Sequence, residues 1–204
     1  MNKHPLIDTI IFDFGGVLMD WDPRYLYRKI FDSEEKIEWF LAYVCTSEWN
    51  HQQDAGRDLE EAIKLKQEEF PGYKAEIAAF YHRWIEMLGG PIEENVAILR
   101  SLANGPYSLY GLTNWSHQTF PLVYEDYDFF NIFKGIIVSG AEKMAKPDRE
   151  IFDLMVERYQ LTAEKSLFID DSQANIETAQ ALGFKTIHLT SHKSLAQELE
   201  DILS

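Results

Sequence analysis

The chain has 204 residues, 46% of them hydrophobic, with 19 basic against 34 acidic residues and a formal charge of −15. That length fits one large domain or one domain carrying an insertion, and the apolar share excludes a disordered chain. Nucleic acid and anionic membranes both demand a basic face, so neither is expected as a partner.

Met1-Asn2-Lys3-His4-Pro5 lacks a long apolar leader, and no apolar run reaches membrane-spanning length. Cys45 is the only cysteine, so no intrachain disulfide can form. Together these predict a cytoplasmic protein. Cys45 follows Tyr43-Val44 on an apolar helical stretch and is expected in the core.

Residues 6–14 are mostly apolar, as in a strand covered on both faces, and run into Gly15-Gly16. Asp22-Pro23 signals a helix start. From there to about residue 104 the pattern is helical. Ser33 is the expected N-cap of a helix with Ile37, Phe40, Leu41 and Val44 on one face. Asp58 and Glu61 form a capping-box pattern. Ile77, Phe80, Tyr81, Trp84, Ile85 and Leu88 form a stripe expected to end at Gly89-Gly90-Pro91, and a further helix carries Val96, Leu99 and Leu102. The rhythm then changes. Tyr107–Leu112, Gly135–Ser139, Ser166–Asp170 and Lys185–Leu189 read as strands, with helical patterns over Glu150–Tyr159 and Asn175–Leu182. Alternation of this kind predicts an α/β fold with a Rossmann-like, doubly wound parallel sheet. The core is expected over residues 1–18 and 96–204, with a helical insertion over 19–95.

Several chemically active side chains fall just after predicted strands: Asp13, Thr113-Asn114, Lys146-Pro147 and Asp170-Asp171. In such a sheet these strand ends meet at one edge, where ligands bind. Three carboxylates gathered there need neutralising, and an oxygen-rich set suits Mg²⁺. Asp13 and Asp170 are the expected direct ligands, with Asp171 direct or through water and the Gly15 carbonyl as a further oxygen. The Thr113 hydroxyl and the Lys146 ammonium suit phosphate oxygens.

Four segments carry a family resemblance: Phe12-Asp13-Phe14-Gly15-Gly16-Val17-Leu18, Leu112-Thr113-Asn114, Lys146-Pro147-Asp148-Arg149-Glu150-Ile151-Phe152, and Phe168-Ile169-Asp170-Asp171-Ser172-Gln173-Ala174-Asn175-Ile176. In this order and spacing they resemble the motifs of the haloacid dehalogenase-like (HAD) hydrolases, subfamily I, over essentially the whole chain. The resemblance implies an inserted α-helical cap domain of the C1 type over 19–95, which closes over the site and selects substrates. It also implies phosphoryl transfer through an aspartyl-phosphate on Asp13, with Mg²⁺ and Lys146 offsetting the charge on the phosphoryl oxygens. The expected substrate is a small phosphorylated metabolite, with sugar phosphates favoured, and the expected assembly a monomer or homodimer.

One position departs from the family pattern. Family phosphatases place a second aspartate two residues after the nucleophile, as general acid and base; here that position is Gly15. Loss of such a group costs on the order of 10²–10⁴-fold in rate. One explanation is a 2-haloacid dehalogenase, whose halide leaves unprotonated; the paired Asp170-Asp171 speaks against it. Another is a sensor or adaptor that binds a phospholigand and turns it over poorly. The favoured explanation is a phosphatase with a substitute acid. The first motif and the run Trp49-Asn50-His51-Gln52-Gln53-Asp54-Ala55-Gly56 resemble a glucose-1-phosphate phosphatase-like branch that carries glycine at this position. Histidine is the side chain type suited to exchange a proton near neutral pH, and His51 is the expected substitute. Thr113, Asn114, Lys146, Trp49 and Arg57 are the expected substrate contacts, with Asp54 also a candidate contact.

Overall fold

A computed structural model describes residues 6–190 and 194–203; the reading of Met1–Pro5 lies outside them. Strand β1 (Thr9–Phe12) is followed by the short β2 (Met19–Trp21). Five helices come next: α1 (Arg24–Tyr27), α2 (Glu34–Tyr43), α3 (Ser47–Asp54), α4 (Leu59–Glu69) and α5 (Lys74–His82). Strand β3 (Leu88–Pro91) leads into α6 (Glu93–Ala103). The remaining elements are β4 (Ser108–Thr113), α7 (Pro121–Tyr124), β5 (Gly135–Val138), α8 (Ser139–Glu142), α9 (Arg149–Tyr159), β6 (Ser166–Asp170), α10 (Gln173–Ala181), β7 (Lys185–His188) and α11 (Leu195–Leu203).

Five strands form a parallel sheet in the order β5-β4-β1-β6-β7. Every residue of the central β1 and of β6 is buried, which is why both read as unbroken apolar runs rather than alternating ones. Register places the site. Phe12 pairs with Gly111 on one side and Ile169 on the other, so Asp13, Thr113 and Asp170 emerge together at the carboxyl edge. The aromatic run after α7 covers this part of the sheet: Phe14 lies 5.1 Å from Phe130 and 5.3 Å from Phe133 between ring centres.

The helices between β2 and β3 hold their own aromatic cluster. Tyr27 packs on Phe40 at 4.8 Å, and Trp49 on Phe80 and Tyr81, each at 5.3 Å. The caps form as their residue types dictate: Ser33 accepts from the Lys36 amide and Asp58 from the Glu61 amide. Asp22 Oδ1 accepts from the Arg24 amide at 2.9 Å at the start of α1. Cys45 is buried, and burial pushes its thiol up to about 12.

One expectation fails. The stripe from Ile77 to Leu88 is not a single helix: α5 ends at His82, a 3₁₀ turn covers Trp84–Met87, and Leu88–Pro91 is a strand. Met19 pairs with Pro91, Asp20 with Gly90 and Trp21 with Leu88, forming an antiparallel ribbon that carries the chain out of the sheet region and back. Pairing across so long a sequence separation overrides the local helical period. Ile85, placed on the buried stripe by that period, is consequently exposed.

Candidate active site

Asp13 sits one residue past β1 and is buried. Its Oδ1 accepts from the Phe14 amide at 2.7 Å and lies 3.0 Å from Lys146 Nζ. Among the described residues its Oδ2 carries no hydrogen bond, which leaves one oxygen of a fixed carboxylate available. Lys146 is 1% exposed, and its three ammonium protons have three oxygen partners. These are Asp13, Asp170 Oδ2 at 2.6 Å and the Leu112 carbonyl at 2.9 Å. Asn114 fixes the lysine from behind: its Nδ2 donates to the Lys146 carbonyl (2.8 Å) and its Oδ1 accepts from the Lys146 amide (2.9 Å). The Lys146–Pro147 peptide is cis.

Asp170 is held from three directions. Its Oδ1 accepts from the Ser172 amide (2.8 Å) and from Asn175 Nδ2 (2.9 Å), and its Oδ2 from Lys146. Asn175 orients this carboxylate. Asp171 is exposed and leans against Gly16. A Cβ at Gly16 would lie 2.3 Å from Asp171 Oδ2, and its φ of +69° also favours glycine. Asp13, Asp170 and Asp171 each bring a carboxylate oxygen within 4.8 Å of the other two.

Three carboxylates against one ammonium leave the cluster electronegative. Burial pushes the Asp13 carboxyl up to about 7; Lys146 opposes the rise, and Asp170 and Asp171 add to it. Asp171 is raised by burial and then by Asp170. For Lys146, burial favours the neutral amine, but the two carboxylates outweigh it and the net direction is upward. An all-oxygen donor set with excess negative charge fits a hard divalent cation, which would return these acids to their ionised forms. Thr113 Oγ1 is buried beside this cluster with no hydrogen-bond partner among the described residues, as expected for a hydroxyl left for a ligand oxygen.

A cleft of about 620 Å³ opens over these groups. Asp13, Gly15, Trp21, Asn114, Lys146 and Asp171 line it from below, and Ser47, Glu48 and His51 of α3 reach it from the insertion. His51 is therefore brought to the cleft. Trp49 and Arg57 are not. Trp49 is 5% exposed against Phe80 and Tyr81, Arg57 Nε donates to Gln53 Oε1 at 2.7 Å, and both line a separate depression with Lys66 and Glu69. Residues two apart on a helix do not share a face, so Trp49 turns inward where His51 turns out. Asn114 lines the cleft, but its amide is committed to the Lys146 backbone.

The model for the haloacid dehalogenase-like hydrolase family matches residues 10–189. The chain belongs to the haloacid dehalogenase-like hydrolases. The sesquiterpene phosphatase of Aspergillus oryzae is 28% identical over 95% of both chains. The D-ribitol-5-phosphate phosphatase of Bacteroides thetaiotaomicron is 25% identical over 98% of this chain and 100% of its own length. Among solved structures, a magnesium complex of a HAD-family enzyme from Bacteroides thetaiotaomicron superposes with a TM-score of 0.74 at 24% identity, covering 95% of this chain and 98% of that one. The shared fold includes the five-stranded sheet whose edge gathers the haloacid dehalogenase-like motifs of this chain. Two further groups gain their neighbours only from the fold. Trp21 lines the cleft and has a buried Nε1 without a partner among the described residues, and Asp54 ends α3 where the insertion meets the sheet region.

Proposed function

We propose that the chain is a Mg²⁺-dependent phosphatase of small phosphorylated metabolites, sugar and polyol phosphates above all. The observation that carries this reading is the Asp13–Lys146–Asp170 arrangement, with one Asp13 oxygen uncommitted beside an acidic cluster and an unpartnered Thr113 hydroxyl. The full-length similarity to a D-ribitol-5-phosphate phosphatase supports the substrate class. Residues 19–95 would act as a cap domain on a core of 1–18 and 96–204, moving on the β2–β3 ribbon.

In this reading Asp13 Oδ2 attacks phosphorus and the phosphorus–oxygen bond to the alcohol breaks. Water then cleaves the aspartyl-phosphate and releases inorganic phosphate. Thr113 would hold a phosphoryl oxygen and Lys146 would lend its positive charge to the transferring group, while Asn114 and Asn175 keep Lys146 and Asp170 in place. Asp13, Asp170, Asp171 and the Gly15 carbonyl would hold Mg²⁺, which offsets charge on the transferring group. Gly15 offers no acid for the departing alkoxide; His51, on the cleft wall, is the candidate read from sequence.

A screen of phosphomonoesters with Mg²⁺, including polyol, sugar and isoprenoid phosphates, tests the reading. It predicts phosphate release that a chelator stops. Halide release from a 2-haloacid in the chelator's presence would instead support a dehalogenase, and tight binding with background turnover a sensor.

A further inference from the structure

Position 15 opens onto space. A Cβ built on Gly15 meets no atom within 4 Å, so nothing has moved in to fill the volume a side chain would take there. A cavity of about 90 Å³ adjoins it, lined by Gly15, Met19, Trp21, Asn50, Asp54, Trp84, Asn114 and Trp115. Gly15, Trp21 and Asn114 also line the cleft over Asp13, so the two spaces share a wall. Trp84 and Trp115, 5.2 Å apart between ring centres, close the far side.

Few polar groups on this cavity are available. The Asn114 amide is bound to the Lys146 backbone. Asn50 donates to Asp54 Oδ2 at 2.8 Å and accepts from the Tyr81 hydroxyl at 2.9 Å. What remains is the Trp21 indole N–H, which has no partner among the described residues, and the Asp54 carboxyl, the one acidic group on the lining, whose Oδ2 accepts from Asn50. His51 lines the outer cleft but not this cavity.

We propose that Asp54 is the proton donor for the leaving group, acting from the insertion across the cavity that Gly15 leaves open. The proposal rests on the phosphatase reading above. As Asp13 attacks phosphorus, the electron pair of the breaking phosphorus–oxygen bond goes to the alcohol oxygen, which takes the Asp54 proton and leaves as the alcohol. The Asp54 carboxylate then accepts a proton from the water that attacks the phosphorus of phospho-Asp13. The bond to Asp13 breaks, its electron pair returns to the aspartate, and phosphate departs with Asp54 protonated again. The protonation state agrees: burial pushes Asp54 up to about 7, although the Ser116 amide and Asn50 both donate to it. Trp21 N–H is left to hold an oxygen of the alcohol.

Asp54→Asn keeps the shape and removes the acid. The value of kcat/KM reports steps up to phosphorylation of Asp13, where an alkyl leaving group needs a proton and a nitrophenyl one barely does. The ratio of kcat/KM for ribitol 5-phosphate to that for 4-nitrophenyl phosphate is expected to fall by about 10²-fold or more in Asp54→Asn. Adding Gly15→Asp, which the open space admits, is expected to restore much of it. An unchanged ratio, a fall that Gly15→Asp does not reverse, or the same fall in His51→Ala would overturn the assignment. Release of phosphate by the wild type with an unchanged ratio removes only Asp54; no Mg²⁺-dependent release from either ester removes the phosphatase reading and this assignment with it.

Discussion

At the scale of single residues, the site turns on how a buried lysine is shared. Lys146 has Asp13 at 3.0 Å and Asp170 at 2.6 Å, all three side chains nearly sealed from water. Removing one partner from such a set leaves uncompensated buried charge and costs about 3–5 kcal/mol. Lys146→Met is therefore expected to lower unfolding stability by that amount in a urea titration; a loss below about 1 kcal/mol would mean the lysine is no more than a surface-like partner. Asp13, Thr113 and Asp170 could be placed at the sheet edge from the sequence because each ends or follows an apolar run, whereas Lys146 lies beyond β5 and α8 and was marked by its motif rather than by a strand period. Asn114 and Asn175 were not assignable to their work, since each acts on a residue that only the folded sheet brings near. Trp49 and Arg57 lie near His51 along the chain, but helical geometry turns Trp49 inward and the turn after α3 ties Arg57 to Gln53, away from the cleft.

At the scale of elements, the turn after α3 is where the insertion meets the sheet region. Ser139 Oγ donates to the Asp54 carbonyl at 2.5 Å and accepts from the Trp115 amide at 2.9 Å. Gln118 Oε1 accepts from the Leu59 amide at 3.0 Å. Gly56 permits this approach: its φ is +100° and a Cβ would sit 2.9 Å from the Gly140 carbonyl oxygen. Gly56→Ala is expected to cost about 1–3 kcal/mol, from strain at that φ and from the contact. Thermal unfolding measures it, and a midpoint equal to wild type would show the turn is not docked as described. The parallel strands were legible from composition, and helix starts from Ser33 and Asp58. The β2–β3 ribbon was not, because Met19–Trp21 and Leu88–Pro91 are too short to show a period and stabilise each other only across the fold.

At the scale of the whole molecule, acidity is concentrated as well as abundant, and stability should follow pH accordingly. Burial raises Asp13 and Asp54 each to about 7 and raises Asp171. A carboxyl whose folded pKa lies above its unfolded one holds its proton longer when folded. Its contribution therefore falls as pH climbs from the unfolded value near 4 to the folded value. Without divalent cations the melting temperature is expected to drop between pH 5 and pH 8, and millimolar Mg²⁺ to reduce the drop by favouring the ionised carboxylates. A melting temperature that rises over this range without metal would contradict the upward shift of Asp13 and Asp54. Whether Asp13 takes the phosphoryl group is read by rapid acid quench of the enzyme during turnover of a phosphomonoester with Mg²⁺, followed by peptide mass spectrometry. The expected result is a phosphoryl adduct on Asp13 that is absent from Asp13→Asn. Phosphate release at wild-type rate by Asp13→Asn, or an adduct on any other residue, would contradict it.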